Sequence, residues 1–99
     1  MTIAFDFDGT ITADAATMIA AMRLYRDAGW TVIVATLRGE HERNDAVERL
    51  LTGEFPVVYS NRKVKQSACR AAGYSVNVWV DDTPQLCCET LLVGVDKEL

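Results

Sequence analysis

Four aspartates stand at points where the chain leaves apolar segments. Asp6 and Asp8 follow an apolar run near the start of the chain, and Asp81 and Asp82 follow a later one. Carboxylates that converge repel one another and take up protons unless a cation lies among them. Oxygen ligands with room for water suit Mg²⁺, which usually binds one or two carboxylates together with substrate phosphate oxygens. The sequence therefore predicts a magnesium site.

A hydroxyl and several cationic side chains follow other apolar runs. Thr36 and Arg38 come after the run Thr-Val-Ile-Val-Ala, and Lys63 and Lys65 come after the run that closes at Tyr59. With the helix N-termini nearby, such groups form a cradle for a tetrahedral anion. The spacing leaves open which lysine belongs to the cradle, and we favour Lys65 because it is nearer the predicted helix start. A cation beside an anion cradle indicates phosphoryl chemistry.

The spacing Asp-x-Asp has a chemical meaning of its own. Residues two apart on a chain that leaves a strand can reach one reacting centre from different directions. One carboxylate can attack while the other moves a proton. We expect Asp6 to be the nucleophile that forms an aspartyl-phosphate, and Asp8 to protonate the leaving oxygen and then activate water.

These residues can meet only if the elements that carry them end at one edge. Short apolar runs predict five strands, at 2–7, 30–35, 56–59, 75–80 and 91–95. Helical periodicity predicts helices that begin at Ala15 and end before Gly29, cover 46–51, and cover 64–72, with Thr83-Pro84 opening a short one. This alternation predicts an α/β fold, a three-layer αβα sandwich with a Rossmann-like, mostly parallel sheet of about five strands. In such sheets ligands bind beyond the carboxyl ends of the strands.

Length and composition limit the classes further. A chain of 99 residues predicts one domain, residues 1–99, and its net charge of −4 argues against a broad nucleic-acid-binding surface. The sequence has no apolar run long enough to span a membrane and no targeting signal, so we expect a cytoplasmic location. Met18, Met22 and Tyr25 are interpreted as core, and Trp30 and Trp79 as packing residues.

Taken in order, these motifs resemble a known family. The string Asp6-Phe7-Asp8-Gly9-Thr10, then Thr36, Lys65 and Asp81-Asp82 resemble the four motifs of the haloacid dehalogenase-like superfamily. The resemblance is to its phosphatases, because the dehalogenase branch lacks the second aspartate that Asp8 supplies. It implies that Asp6 and Asp82 bind Mg²⁺ through side chains and Asp8 through its carbonyl, with Asp81 nearby. It also implies that Thr36 and Lys65 hold the phosphate, and we add Thr10 and Arg38 as further candidates for phosphate or substrate binding.

Many members of that superfamily carry a cap, and this chain leaves little room for one. Only a few residues separate Thr10 from the first predicted helix, which predicts a minimal, uncapped form. Specificity would then come from loops such as 38–43, or from a second subunit of a homo-oligomer. Thr36-x-Arg38 with the late aspartate pair is similar to polynucleotide kinase phosphatase domains and small nucleotidases, although Thr83 stands where those often have arginine. The expected substrate is a nucleotide or polynucleotide-end phosphate, or another phosphorylated small molecule.

Two alternatives without turnover use similar residues. A receiver-like phosphoacceptor domain also combines an α/β fold, magnesium, aspartates, a threonine and a lysine. It would place its lysine last, whereas here Lys65 precedes Asp81 and Asp82. The other alternative is a scaffold that binds phosphate without hydrolysing it.

Overall fold

The computed structural model describes residues 1–40, 50–51 and 53–83. The elements in chain order are β1 (Thr2–Asp6), α1 (Ala15–Asp27), β2 (Thr31–Thr36), β3 (Val57–Tyr59), α2 (Lys65–Ala71) and β4 (Val78–Val80). The four strands form one parallel sheet in the order β3-β2-β1-β4. The predicted α/β class with a parallel sheet is confirmed. The predicted strand at 91–95 lies outside the described residues, as does all but Thr83 of the helix opening at Thr83-Pro84. Of 46–51 only Leu50 and Leu51 are described, both helical.

Of the elements given above, α1 covers one face of the sheet and α2 covers the other. Alternate residues of β1 face opposite sides, because successive side chains of a strand point in opposite directions. Ile3 and Phe5 pack in a cluster with Met22 of α1, whereas Ala4 packs in a second cluster with Cys69 of α2. The two clusters give the sheet an apolar layer on both faces, as expected for parallel strands.

The residues predicted to be core or packing residues pack against the sheet, except that Tyr25 lies at the surface rather than in the core. Met22 is fully buried, and Met18 and Trp30 lie against the same cluster. Tyr25 is 36% exposed, but its ring contacts Trp30 edge-on, with centroids 5.1 Å apart. Trp79 packs against the cluster on the other face.

Glycines end both helices as predicted. Gly29 follows α1 with φ of +96° and Gly73 follows α2 with φ of +97°, values that favour glycine because it has no Cβ. At the other end of α1, the Asp14 side chain accepts a hydrogen bond from the Thr17 N–H. Among the described residues, no helix has the length and apolar character needed to cross a membrane.

Strand ends differ from the prediction by small shifts that matter for the site. The fourth strand begins at Val78 rather than at residue 75. Just before it, the Asn77 N–H donates to the Thr2 carbonyl at 2.9 Å, but the Thr2 N–H donates to the Asn77 side-chain oxygen at 2.8 Å. A side chain thus replaces a main-chain acceptor where the sheet pairing begins. The first strand ends at Asp6 rather than at Phe7, and the second extends to Thr36. Two of the predicted site residues are therefore the last residues of adjacent strands.

Candidate functional site

The carboxyl edge of the sheet collects most of the predicted site residues. Asp6 ends β1 and Thr36 ends β2 on the neighbouring strand. Asp81 directly follows β4, and Lys65 is the first residue of α2. Because the strands are parallel, these positions meet at one edge.

Lys65 joins two of the aspartates. Its side chain is 1% exposed, and its Nζ lies 2.5 Å from Asp6 Oδ1 and 2.6 Å from Asp81 Oδ2. Burial lowers the pKa of this ammonium, but the hydrogen bonds to Asp6 and Asp81 outweigh burial and raise the pKa above its ordinary value. Lys65 is therefore a fixed positive charge inside the site. Lys63, the other candidate, is exposed.

Asp6 is a buried carboxyl whose two oxygens have different partners. Oδ1 accepts from Lys65, and Oδ2 accepts from the Thr10 hydroxyl at 3.2 Å. Burial raises the pKa of Asp6 to about 6; the opposing hydrogen bond from Lys65 is outweighed by burial together with the hydrogen bond to Asp82 and the charge of Asp81. A cation beside this group would favour its charged form.

Asp81 and Asp82 have different surroundings although they are adjacent. The Asp81 side chain is buried, and its Oδ1 accepts from both the N–H and the hydroxyl of Thr83, at 2.9 and 3.3 Å. Asp82 is exposed. Oxygens of Asp6, Asp81 and Asp82 lie within 4.8 Å of one another. Three carboxylates beside one ammonium leave two negative charges, which a divalent cation with oxygen ligands would balance.

Asp8 lies at the rim rather than in this cluster. It belongs to a wide turn over Phe7–Ile11 that is closed by the hydrogen bond from the Thr12 N–H to the Phe7 carbonyl, 3.1 Å. Its two oxygens accept from Arg38 at 2.9 and 2.8 Å. The Arg38 guanidinium also lies 5.4 Å above the centre of the Phe7 ring. The structure thus pairs the predicted proton-transfer residue with a predicted phosphate-binding residue.

Thr36 is buried at the end of β2, and its hydroxyl oxygen accepts from the Arg38 N–H at 3.2 Å. This bond fixes the first turn of the loop after β2. The hydroxyl proton of Thr36 is not used in that bond. It can donate to an oxyanion that lies at the strand end.

The loop after β3 is bound to the loop after β2 through main-chain hydrogen bonds. The N–H of Asn61 donates to the Arg38 carbonyl at 3.2 Å, and the N–H of Arg62 donates to the Leu37 carbonyl at 2.6 Å. Asn61 and Arg62 have left-handed φ of 56° and 66°, which is uncommon for residues with a Cβ. The two loops form one unit that fixes Arg38 relative to the helix carrying Lys65.

Sequence reasoning missed Ser60. It is the first residue after β3, it is 3% exposed, and its N–H donates to the Thr36 carbonyl at 2.9 Å. The signal that could have found it is its position, because the same rule that selected Thr36 and Asp81 applies to the end of β3. The prediction instead selected the charged residues that follow, Lys63 and Lys65.

Comparison with models of protein families, with curated proteins and with solved structures finds no match to this chain.

Within the described ranges, the structure brings Asp6, Lys65, Asp81 and Asp82 into contact or close proximity. It places the Thr10 and Thr36 hydroxyls at the same edge. Chemically, the arrangement sets three carboxylates, groups that could hold a hard cation, next to hydroxyl and ammonium donors that could bind an anion.

Proposed function

We propose that the chain is a magnesium-dependent phosphomonoester hydrolase of the haloacid dehalogenase-like type, which acts through an aspartyl-phosphate on Asp6. The observation that best supports the proposal is the position of Lys65, buried between Asp6 and Asp81 with Asp82 beside them. A buried ammonium that bonds a carboxylate at a strand end is suited to hold a phosphate next to that carboxylate.

In the first step, an Asp6 oxygen attacks phosphorus while the bond from phosphorus to the leaving oxygen breaks. Lys65 and the Thr36 hydroxyl bind phosphoryl oxygens, and Thr10 orients Asp6 through its hydrogen bond. Arg38 turns from Asp8 to the bound phosphate, and Asp8 gives its proton to the leaving oxygen. In the second step, Asp8 takes a proton from water while the water oxygen attacks phosphorus. The bond from phosphorus to Asp6 breaks, so that Asp6 leaves as a carboxylate and inorganic phosphate is released.

The carboxylate cluster fits Mg²⁺ in its ligand type and in its charge. Asp6 and Asp82 would hold the ion through their side chains and Asp8 through its carbonyl. Asp81 would lie beside the ion without binding it directly, with its oxygens accepting from Lys65 and Thr83. When bound, the ion neutralises the repulsion between Asp6 and the incoming phosphate.

The finer fold follows from the same proposal. Residues 91–95 would add a fifth strand, and the sandwich would lack a cap, because α1 begins at Ala15, soon after the turn that ends at Ile11. Asp8 and Asp82 are exposed, so the site is reached from the rim they form. Such an open site admits the end of a large molecule, and we rank nucleotide and polynucleotide-end monoesters first among its substrates.

Turnover of p-nitrophenyl phosphate tests the reaction. We expect many turnovers per chain with MgCl₂, and none with EDTA or in Asp6→Asn. Asp27→Asn, which makes the same change at an exposed position, should match the wild type. A single phosphorylation event per chain without release would instead support the receiver-like alternative, and phosphate binding without any reaction would support a scaffold.

The substrate class is tested by comparing kcat/KM for a 3′-phosphorylated oligonucleotide, a nucleoside monophosphate and a sugar phosphate. We expect the two nucleotide substrates to be preferred. A clear preference for the sugar phosphate would reverse this ranking and leave the reaction class unchanged.

A further inference from the structure

The Ser60 hydroxyl is buried, and it has no hydrogen-bond partner among the described residues. Buried hydroxyls in folded proteins are almost always paired with protein groups or with water, since an unpaired one loses its hydration without compensation. A hydroxyl without a partner at the carboxyl edge of a parallel sheet requires an explanation, and a bound ligand is one that the position allows.

The main chain of Ser60 is fixed on both sides. Its N–H donates to the Thr36 carbonyl at 2.9 Å, and its carbonyl accepts from the Lys63 N–H at 3.0 Å. Tyr59, the residue before it, is the register partner of Thr36 in the sheet. Ser60 therefore lies one residue past the register partner of Thr36, at the same edge of the sheet.

Ser60 also belongs to the side of the sheet that carries Lys65. Val58, two residues earlier, packs in the cluster that α2 covers, and residues two apart on an extended chain share a face. Lys65 begins α2 five residues later, with its ammonium on Asp6. An oxyanion bound by Thr36 and Lys65 lies next to the end of β3.

We propose that Ser60 is a further phosphate-binding residue, whose hydroxyl donates to an oxygen of the bound phosphate beside those that Thr36 and Lys65 contact. This inference rests on the proposed function for the location of the phosphate. It assigns the third strand its own contact, so that β1 supplies the nucleophile while β2 and β3 each supply one hydroxyl donor.

A buried water molecule is the competing explanation of the same hydroxyl. The two explanations differ in what the loss of the hydroxyl does. If Ser60 serves phosphate, Ser60→Ala removes a group that is unpaired in the ligand-free protein, so the melting temperature stays the same or rises. If Ser60 binds a structural water, the variant loses a satisfied contact, so the melting temperature falls and phosphate affinity is unchanged.

The test measures the affinity of the full chain for inorganic phosphate by titration calorimetry with MgCl₂ present, together with the melting temperature. We expect Ser60→Ala to weaken phosphate binding about tenfold, the usual consequence of losing one hydrogen bond to a charged group, and to leave the melting temperature unchanged or higher. Ser75→Ala, the same change at an exposed site, should match the wild type. Ser60→Cys, which keeps the shape but donates weakly, should resemble Ser60→Ala.

Equal phosphate affinity in Ser60→Ala and wild type would overturn the inference, as would failure of both Ser60 variants to fold, which would show a structural role. A wild type that hydrolyses phosphomonoesters with unchanged phosphate affinity in Ser60→Ala would overturn this inference and leave the proposed function standing. A wild type that binds phosphate through Ser60 but never hydrolyses a monoester would overturn the proposed function alone. A wild type that binds no phosphate would overturn both.

Discussion

Arg38 holds both carboxylate oxygens of Asp8, with Nε 2.9 Å from Oδ2 and Nη2 2.8 Å from Oδ1. The pair links the turn after β1 to the loop after β2. Its side chains are 29% and 52% exposed, so its contribution to stability is about 0.2–1 kcal/mol. The importance of the pair is chemical, because it holds a predicted phosphate-binding residue against the carboxylate that exchanges protons in the proposed reaction.

Asp8→Asn should lower kcat for p-nitrophenyl phosphate by about 10²–10⁴-fold, the usual effect of losing general acid–base catalysis. Because Asp8 is exposed, the variant should fold normally, as judged by its circular dichroism melting curve. Asp27→Asn is the matched control on an exposed carboxylate. A loss of only a few-fold would show that another group moves the proton.

Arg38→Ala should raise KM about tenfold for a nucleoside monophosphate and less for p-nitrophenyl phosphate, because the smaller substrate offers the guanidinium fewer contacts. The comparison requires steady-state kinetics on both substrates with one enzyme preparation. Arg70→Ala, at an exposed position on α2, should change neither KM. An equal rise in KM for both substrates would show that Arg38 contacts only the phosphate group of the substrate.

The raised pKa of Asp6 predicts how stability depends on pH in the metal-free protein. Its value of about 6 in the fold exceeds the ordinary 3.8, so between these values the folded state binds more protons than the unfolded state. The stabilising contribution is complete below pH 3.8 and is lost as pH rises through about 6. Asparagine does not titrate, so the free energy of unfolding of Asp6→Asn, relative to that of the wild type, should rise as the pH increases from about 4 to about 7.

Urea unfolding with EDTA at several pH values measures this difference. Asp27→Asn should give a curve parallel to that of the wild type. If Asp6→Asn is also parallel to the wild type, Asp6 does not titrate in this range.

Glu54 predicts the opposite pH dependence. It accepts from Arg23 at 2.7 and 2.8 Å and from Arg26 at 2.7 Å, and these hydrogen bonds lower its pKa from 4.5 to about 2. Its contribution is present above pH 4.5 and is lost as pH falls through about 2. Glu54→Gln should thus destabilise the protein at neutral pH and less so in acid, as measured by urea unfolding. Glu40→Gln, an exposed control, should show no such trend.

Much of the site could be predicted because it depends on where strands end. The apolar runs that form β1, β2 and β4 are short and bounded by polar residues, so the positions of Asp6, Thr36 and Asp81 follow from chain pattern and from the parallel arrangement. Hydrophobic periodicity likewise indicated that Met22 is core, since a helix over a sheet buries one stripe.

Contacts between loops could not be predicted in the same way. The choice between Lys63 and Lys65 depends on the left-handed turn at Asn61 and Arg62, which sets where α2 begins. Neither residue type requires that conformation. It is held by hydrogen bonds to the loop after β2, a contact between segments distant in sequence. The bidentate bond between Asp8 and Arg38 is hidden from sequence for the same reason.

Gly9 gives a direct test of Asp82 as a metal ligand. It has φ of +90°, and a Cβ built on it would lie 2.3 Å from Asp82 Oδ2 and 2.8 Å from Asp82 Cγ. Gly9→Ala must therefore displace the Asp82 carboxylate from its place beside Asp6. Because no ligand of the proposed site is itself replaced, we expect the MgCl₂ concentration for half-maximal activity to rise about tenfold or more, in line with losing one charged contact.

The matched control is Gly29→Ala, which has a similar φ of +96° but no atom within 4 Å of the added Cβ. Both variants should lose stability from the left-handed backbone, by about 1 kcal/mol, and only Gly9→Ala should change the magnesium requirement. Equal magnesium requirements in the two variants would remove Asp82 from the metal site and leave Asp6 as its principal carboxylate.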